Sequence, residues 1–276
     1  MAYQAQINRE NPTLFCFLLD HSGSMKDPAG GKEGNNSKAQ GLADAVNGIL
    51  VDIVMRCSEG TTIREYFDVI VLGYGSEKGH VAPSLGGDLA GKEIVSISQI
   101  GMYPLRFQER TINGQSYSYP VWVEAVEGAD TPMCAALQRC QSLIQGWIRR
   151  HRRAFPPIVI HITDGESTDG DPTRQARKLT SLYTDDGNVL LFNCHLSSTN
   201  SPPVVFPDRA ERIPDAYGRQ LFGMSSVLTP YMQQAALSLG YSVTSQSRGF
   251  IFQADLSNVI HFLDIGTRST VQATLR

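Results

Sequence analysis

Three short apolar runs constrain the fold of this chain more than any other feature of its sequence. They cover residues 14–19, 157–163 and 188–196, and each is mainly apolar instead of alternating between apolar and polar positions. A strand that reads as a continuous apolar run is covered on both faces, as in a parallel sheet with helices on both sides. The runs therefore predict an α/β fold built on a buried parallel sheet.

Amphipathic helical patterns lie between these predicted strands. From Ser37, a residue type that caps helices, apolar positions recur with the 3.6-residue period through residue 54. Residues 131–150 carry a second apolar stripe, with Thr131 as its predicted N-cap and Pro132 in the first turn, where proline is tolerated. This alternation predicts βαβ crossovers. The remaining predicted elements are a strand at 66–72, a helix at 172–182, a helix at 229–239, a strand at 249–253 and a closing helix at 256–265.

Two segments fit the alternation poorly and are interpreted as insertions. Residues 76–126 are rich in Gly and Ser with short β-like pieces, which predicts an antiparallel hairpin, and residues 197–226 carry several proline breakers. With these insertions, the 276 residues are predicted to form a single domain whose core covers about residues 12–267.

The composition excludes several classes of protein. The chain has 24 Lys and Arg against 27 Asp and Glu, a net charge of −3 that provides no general attraction for nucleic acid or anionic membranes. Its N-terminus is polar, and its apolar runs are too short to cross a bilayer, so we expect a cytoplasmic protein without membrane contact. The five cysteines are scattered and odd in number, which favours reduced, buried thiols over disulfides or a zinc site.

Oxygen-bearing side chains follow two of the predicted strands and open a helix. Asp20, Ser22 and Ser24 come after the first strand, Asp164 ends the strand at 157–163, and Thr131 opens a long helix. Because parallel strands end at a common edge of the sheet, we expect these side chains to converge there. Hard oxygen ligands without His or Cys suit a hard divalent cation, and Mg²⁺ needs only one or two carboxylates.

This combination of residues resembles the metal-ion-dependent adhesion site of von Willebrand factor type A domains. The resemblance covers most of the chain and implies a three-layer, doubly wound, Rossmann-like fold with a mostly parallel sheet of about six strands. It implies hydroxyl ligands from Ser22, Ser24 and Thr131, and ligation by Asp20 and Asp164 directly or through water. Mg²⁺ is the implied cation, with Mn²⁺ or Ca²⁺ as alternatives, and one coordination position is left for a partner's carboxylate.

Three further residues near this site are given specific interpretations. Asp130 and Glu166 are departures from the family pattern, and each adds a carboxylate that could fill the open coordination position from within. His161 lies in the strand that ends at Asp164, on the face opposite its two neighbours. We interpret it as a packed or partnered histidine and not as a catalytic one.

The resemblance extends to stand-alone cytoplasmic bacterial type A proteins of tellurite-resistance and stress-response systems. It implies a non-catalytic module that binds a protein partner through the metal, such as a PP2C-type phosphatase, a protein kinase or an AAA+ ATPase. One alternative is a metal-dependent hydrolase or phosphatase that uses the same cation, although no side chain is spaced as an evident nucleophile or base. The other is a nucleic-acid scaffold using the basic run 149–153, which we interpret instead as a solvated helix end.

Overall fold

The computed structural model describes residues 3–5, 7–28, 37–76, 80–112, 114–196 and 202–253. Within them the helices are α1 (Lys38–Cys57), α2 (Ile97–Met102), α3 (Met133–Arg150), α4 (Thr173–Thr180), α5 (Ala216–Met224) and α6 (Pro230–Ser238), with short 3₁₀ turns at Gly23–Lys26, Gly87–Leu89 and Ala210–Arg212. The strands are β1 (Thr13–Asp20), β2 (Ser58–Glu59), β3 (Thr62–Ile63), β4 (Phe67–Tyr74), β5 (Val81–Pro83), β6 (Val95–Ser96), β7 (Arg106–Ile112), β8 (Gln115–Val121), β9 (Ile158–Thr163), β10 (Tyr183–Thr184), β11 (Gly187–Asn188), β12 (Leu190–His195), β13 (Val204–Val205) and β14 (Phe250–Phe252).

The described residues form one large sheet of eight strands and three small hairpins. The order in the large sheet is β13-β14-β12-β9-β1-β4-β5, and β6 also pairs with β4. Strands β14, β12, β9, β1 and β4 are mutually parallel, whereas β5, β6 and β13 are antiparallel additions at the edges. The predicted α/β class with a mostly parallel sheet is confirmed, and the two-residue strands β6 and β13 extend the sheet beyond the predicted six.

Helices cover both faces of this sheet, which gives the predicted three layers. All eight residues of β1 are buried, because its side chains alternate between two separate apolar cores. Phe15 and Phe17 pack in one core with the apolar stripe of α1, while Leu14 and Leu18 pack in the other with the stripe of α3. Burial on both faces explains why β1 reads as an unbroken apolar run.

The segment predicted as the first insertion contains the expected antiparallel hairpin, formed by β7 and β8. Its return to the sheet is fixed on α1 by the side chain of Asn47. The Oδ1 atom of Asn47 accepts hydrogen bonds from the backbone N–H groups of Trp122 and Val123, at 2.8 and 3.1 Å, and its Nδ2 donates to the Val123 carbonyl at 2.8 Å. The hairpin is therefore connected to the central layers by a buried polar clamp.

The segment predicted as the second insertion contains α5, which packs against the sheet next to β12. Leu221 and Phe222 of this helix belong to the same core as α3. The predicted closing helix at 256–265 lies outside the described residues. The five cysteines are free and buried, as expected.

The two predicted helix caps differ in outcome. Ser37 caps α1, because its hydroxyl accepts the N–H of Gln40 at 3.2 Å. The prediction for Thr131 is wrong: α3 begins at Met133, and the residue at its cap position is Pro132, without a side-chain cap bond. The carboxylate of Asp169, from another loop, accepts the N–H groups of the second and third residues of α3, both at 2.9 Å. A distant carboxylate thus takes the role that local sequence assigned to Thr131.

Candidate metal centre at the carboxyl edge of the sheet

The parallel pairing of β1 and β9 brings their carboxyl ends together. Leu19 pairs with Ile162, so the residues that follow them, Asp20 and Thr163, are direct neighbours at the edge of the sheet. The loop that begins after Asp20 and the loop that begins at Asp164 therefore leave the sheet side by side. This register is the structural reason for the convergence that the sequence predicted.

Asp20 organises the first of these loops from a fully buried position. Its Oδ1 accepts the backbone N–H of Ser22 at 2.8 Å, and its Oδ2 accepts the hydroxyl of Thr163 at 2.6 Å. Burial raises the pKa of the Asp20 carboxyl, and the hydrogen bonds from Ser22 and Thr163 act in the opposite direction. Both carboxylate oxygens have donors within the protein, so Asp20 holds the loop in shape.

Ser22, Ser24 and Asp164 form a chain of oxygen atoms at the surface of the site. The Oγ atoms of Ser22 and Ser24 are 3.2 Å apart, and Ser24 Oγ donates to Asp164 Oδ1 at 2.7 Å. Adjacent oxygens of an octahedral Mg²⁺ ion are about 3.0 Å apart, since each lies about 2.1 Å from the metal. The spacing and the chemistry of these donors therefore fit two successive edges of such a shell.

Lys38 contacts the same aspartate from the start of α1. Its Nζ lies 2.7 Å from Asp164 Oδ2, and the two side chains are 3 % and 0 % exposed. Sequence reasoning missed this residue, although there was a signal. A cation in the first turn of a helix is disfavoured by the helix dipole, so a lysine directly after the Ser37 cap calls for a nearby carboxylate.

The third loop of the site, residues 128–131, packs against the ends of β1 and β4 through two glycines. The N–H of Ala129 donates to the Gly75 carbonyl at 2.9 Å. A Cβ atom on Gly128 would lie 1.9 Å from that carbonyl oxygen, and one on Gly75, at φ +92°, would lie 2.1 Å from the Asp130 carbonyl. Side chains at these two positions would separate the loops, so the close approach requires glycine.

Thr131 lies at this edge, but its hydrogen bonds are with Met133, whose N–H its carbonyl accepts at 2.8 Å, and with Thr168. Its N–H donates to Thr168 Oγ1 at 3.0 Å, and its carbonyl accepts the Thr168 N–H at 2.9 Å. In the ranges that the structure describes, no hydrogen bond joins Thr131 to the other four predicted ligands. The structure thus brings Ser22, Ser24 and Asp164 into contact and ties Asp20 to Ser22 by its backbone, while Thr131 is held on a neighbouring loop.

The two additional carboxylates have different surroundings. Asp130 is exposed on the third loop. Glu166 accepts a hydrogen bond from the hydroxyl of Tyr217, a residue of α5, at 2.6 Å. The carboxylate of Glu166 is therefore hydrogen-bonded to a residue of α5.

Histidines surround the site without bonding to its serines in the described residues. His21 is 5 % exposed and packs over Gly73, and burial lowers its pKa to about 4. His195, at the end of β12, is paired in register with Thr163, and burial also lowers its pKa. His161 is fully buried between Tyr74 and Asn193, which confirms its interpretation as a partnered histidine.

The described residues contain no further candidate metal site and no candidate membrane span. No three His, Cys, Asp or Glu side chains there lie together as a metal-binding group. A cation at the edge of the sheet would accordingly depend on serine hydroxyls together with carboxylates. Across the same residues, no helix has both the length and the apolar character needed to cross a membrane.

The comparisons with known proteins add little to these observations. The chain matches no protein-family model and no curated protein sequence. Among solved structures, it is similar to proximal thread matrix protein 1 from the mussel byssus, with 12 % identity and a TM-score of 0.48, over 94 % of this chain and 48 % of that protein. It is also similar to the vWF domain of the type V pili tip protein Mfa5 from Porphyromonas gingivalis, with 12 % identity and a TM-score of 0.33, over 57 % and 39 % of the two chains. The chain thus spans about half the length of the mussel protein, and the fold class rests on the sheet order given above.

Proposed function

We propose that this chain is a non-catalytic protein-interaction module of the von Willebrand factor type A kind. In this proposal, it binds a carboxylate of a protein partner through Mg²⁺ held by Asp20, Ser22, Ser24, Thr131 and Asp164. The observation that carries the proposal is the chain of oxygens from Ser22 through Ser24 to Asp164, with spacings of 3.2 and 2.7 Å at the edge of the sheet.

Each residue has a distinct part in this proposal. Ser22 Oγ, Ser24 Oγ and Asp164 Oδ1 supply direct ligands, because they already lie at the spacing of adjacent ligands. Asp20 keeps the serine loop in shape and holds the cation through water, and Thr131 provides a hydroxyl from the neighbouring loop. When bound, the cation supplies a positive charge that attracts a partner's carboxylate, and that carboxylate can fill its open coordination position.

The surroundings of the serines favour binding over catalysis. A nucleophilic serine needs a base within hydrogen-bond reach, usually a histidine that is itself oriented by a third group. In the described part of the chain, Ser22 and Ser24 bond to each other and to Asp164, and no histidine bonds to either hydroxyl. These contacts therefore give no support to a hydrolase or phosphatase in which either serine is the nucleophile.

The basic run 149–153 has internal partners that fit a solvated helix end. Arg152 lies 3.2 Å from the Asp185 carboxylate, and the ring of His151 stacks on Trp147 with centroids 4.4 Å apart. Arg149 and Arg150 lie in the last turn of α3, where positive charge complements the helix dipole. These contacts support the interpretation that the run is not a nucleic-acid surface.

Metal binding and its use can be tested with two matched serine variants. Electron paramagnetic resonance with Mn²⁺ should show EDTA-sensitive binding to the natural protein and roughly tenfold weaker binding to Ser24→Ala. Ser142→Ala, an equally small change at an exposed serine of α3, should bind as the natural protein does. Polyglutamate should be retained in the presence of Mg²⁺ and released by EDTA, whereas polyglutamine should not be retained.

Two results would contradict the proposed function. The first is an absence of Mn²⁺ binding at millimolar concentration, which would remove the metal from the proposal. The second is hydrolysis of an aryl phosphate that survives purification and is lost in Ser24→Ala but kept in Ser142→Ala, which would establish the enzyme instead.

A further inference from the structure

Lys38 places a positive charge inside the site where the proposed function places a divalent cation. We propose that its ammonium is a tethered counter-ion that competes with the cation for Asp164, so that metal binding favours the withdrawal of Lys38. This inference rests on the proposed function, because it concerns how the same site is filled.

In the Lys38-paired form, each carboxylate oxygen of Asp164 is in contact with one donor of the protein. Its Oδ1 accepts the hydroxyl of Ser24 at 2.7 Å, and its Oδ2 lies 2.7 Å from the Lys38 ammonium. The aspartate side chain is completely buried and that of the lysine is 3 % exposed. A cation that takes Asp164 as a ligand therefore competes with the Lys38 ammonium for the same carboxylate charge.

The charges explain why the two cations exclude one another. Asp20 and Asp164 supply two negative charges, and Lys38 supplies one positive charge in contact with the second of them. A divalent ion on Asp164 Oδ1 would stand within a few ångströms of the ammonium, in surroundings that screen charge poorly. Repulsion between them weakens metal binding for as long as Lys38 stays in place.

The position of Lys38 suits a group that can withdraw. It is the first residue of α1, where the positive end of the helix dipole repels a cation. Its charge lies at the end of a flexible four-carbon stem, and an ammonium makes no fixed bidentate contact with a carboxylate. The contact with Asp164 therefore opposes the repulsion of Lys38 by the dipole of α1, and this repulsion favours withdrawal of the ammonium when a metal ion binds Asp164.

Replacement of Lys38 should increase metal affinity and change its effect on stability. We expect Lys38→Gln to bind Mn²⁺ roughly 10- to 100-fold more tightly than the natural protein, the usual range for coupling between two sites. Without metal, its Tm should be lower because Asp164 loses its counter-ion, and millimolar Mg²⁺ should restore the Tm. The double variant Lys38→Gln/Asp164→Asn, which removes both charges, should fold and show no response to Mg²⁺.

Chemical labelling tests the same idea on the natural protein, whether or not Lys38→Gln folds. An amine-reactive ester, followed by mass spectrometry, should modify Lys38 several-fold faster in Mg²⁺ than in EDTA. Lys92, an exposed lysine, is the internal control and should react equally in both. Labelling of Lys38 that does not depend on Mg²⁺ would overturn the competition.

The outcomes separate this inference from the proposed function. If the natural protein and Lys38→Gln bind Mn²⁺ with the same affinity, the competition is wrong while the metal-dependent function stands. If neither binds Mn²⁺ and Mg²⁺ does not restore the Tm of Lys38→Gln, Lys38 is a structural ion-pair partner, and both proposals are overturned.

Discussion

The interior of the sheet and its carboxyl edge each contain a buried polar cluster, and the two are built differently. In the interior, the hydroxyl oxygen of Tyr74 lies 2.6 Å from His161 Nε2, and His161 Nδ1 lies 2.8 Å from Asn193 Oδ1. The amide nitrogen of Asn193 continues to Ser225 Oγ at 2.9 Å and to the Leu221 carbonyl at 3.2 Å. These groups are neutral, and they are hydrogen-bonded to one another between the sheet and α5.

The cluster at the edge carries charge and reaches solvent. Asp20, Asp164 and Lys38 are ionisable groups in a buried setting, and Ser24, which bonds to Asp164, is exposed. A neutral network with internal partners stabilises a unique arrangement of the core. A charged network that opens to solvent costs desolvation free energy, which a ligand can offset. The interior cluster therefore stabilises the fold, whereas the edge cluster has the character that the proposed binding function requires.

The largest effect in this comparison should follow from Asp164→Asn. The substitution removes the charge that the buried Lys38 ammonium contacts at 2.7 Å, and loss of one partner of a buried ion pair costs about 3 to 5 kcal/mol. Urea unfolding should show this loss directly. Lys38→Gln/Asp164→Asn is the control and should recover most of it, since no uncompensated charge remains. Equal stability of the single and double variants would show that Asp164→Asn does not leave Lys38 as a costly uncompensated charge.

The interior cluster should respond to acid. Burial lowers the pKa of His161 to about 4, whereas an unfolded histidine titrates near 6.5. Below pH 6.5 the unfolded chain therefore takes up a proton that the folded protein refuses. The stability that His161 provides is complete above that pH and is lost as the pH falls towards 4. Between pH 7 and pH 5 the loss should be about 2 kcal/mol.

Urea midpoints at several pH values measure this effect, and His161→Leu isolates it. The variant should be less stable at neutral pH, because the Tyr74 hydroxyl and the Asn193 amide oxygen lose their partner. Its stability should fall less steeply with acid than that of the natural protein, although His21 still contributes. A variant with an unchanged slope would show that His161 is not the group that titrates.

The sequence predicted the sheet well because its signal is local. An unbroken apolar run such as residues 14–19 indicates burial on both faces by itself, and the cap at Ser37 needs only the next three residues. The contact between Lys38 and Asp164 joins residues 126 positions apart, so no spacing rule reaches it. Thr131 failed as a cap for the same reason, since Asp169 reaches the helix from another loop.

Within the candidate site, the residue types were easier to predict than their roles. Ligation of a cation by Asp20, directly or through water, stays a prediction, and the structure adds that its two oxygens accept hydrogen bonds from Ser22 and Thr163. One of those donors is Thr163, and its sequence context carries no signal of this role, because threonine is a common residue in buried strands. Roles of this kind depend on the register between β1 and β9, which single-strand patterns do not contain.

The smallest effect should come from the periphery of the edge cluster, where Tyr217 donates to Glu166. Tyr217→Phe removes one hydrogen bond between exposed side chains, so the free energy of unfolding should change by no more than about 0.5 kcal/mol.

The variant nevertheless tests whether Glu166 fills the open coordination position from within. If Tyr217 keeps Glu166 away from the cation, the freed carboxylate should strengthen Mn²⁺ binding and weaken the retention of polyglutamate. Tyr217→Phe/Glu166→Gln should return both to the natural values. Unchanged binding in both variants would leave the open position to a partner alone and would limit the edge cluster to the serines, its two buried aspartates and Lys38.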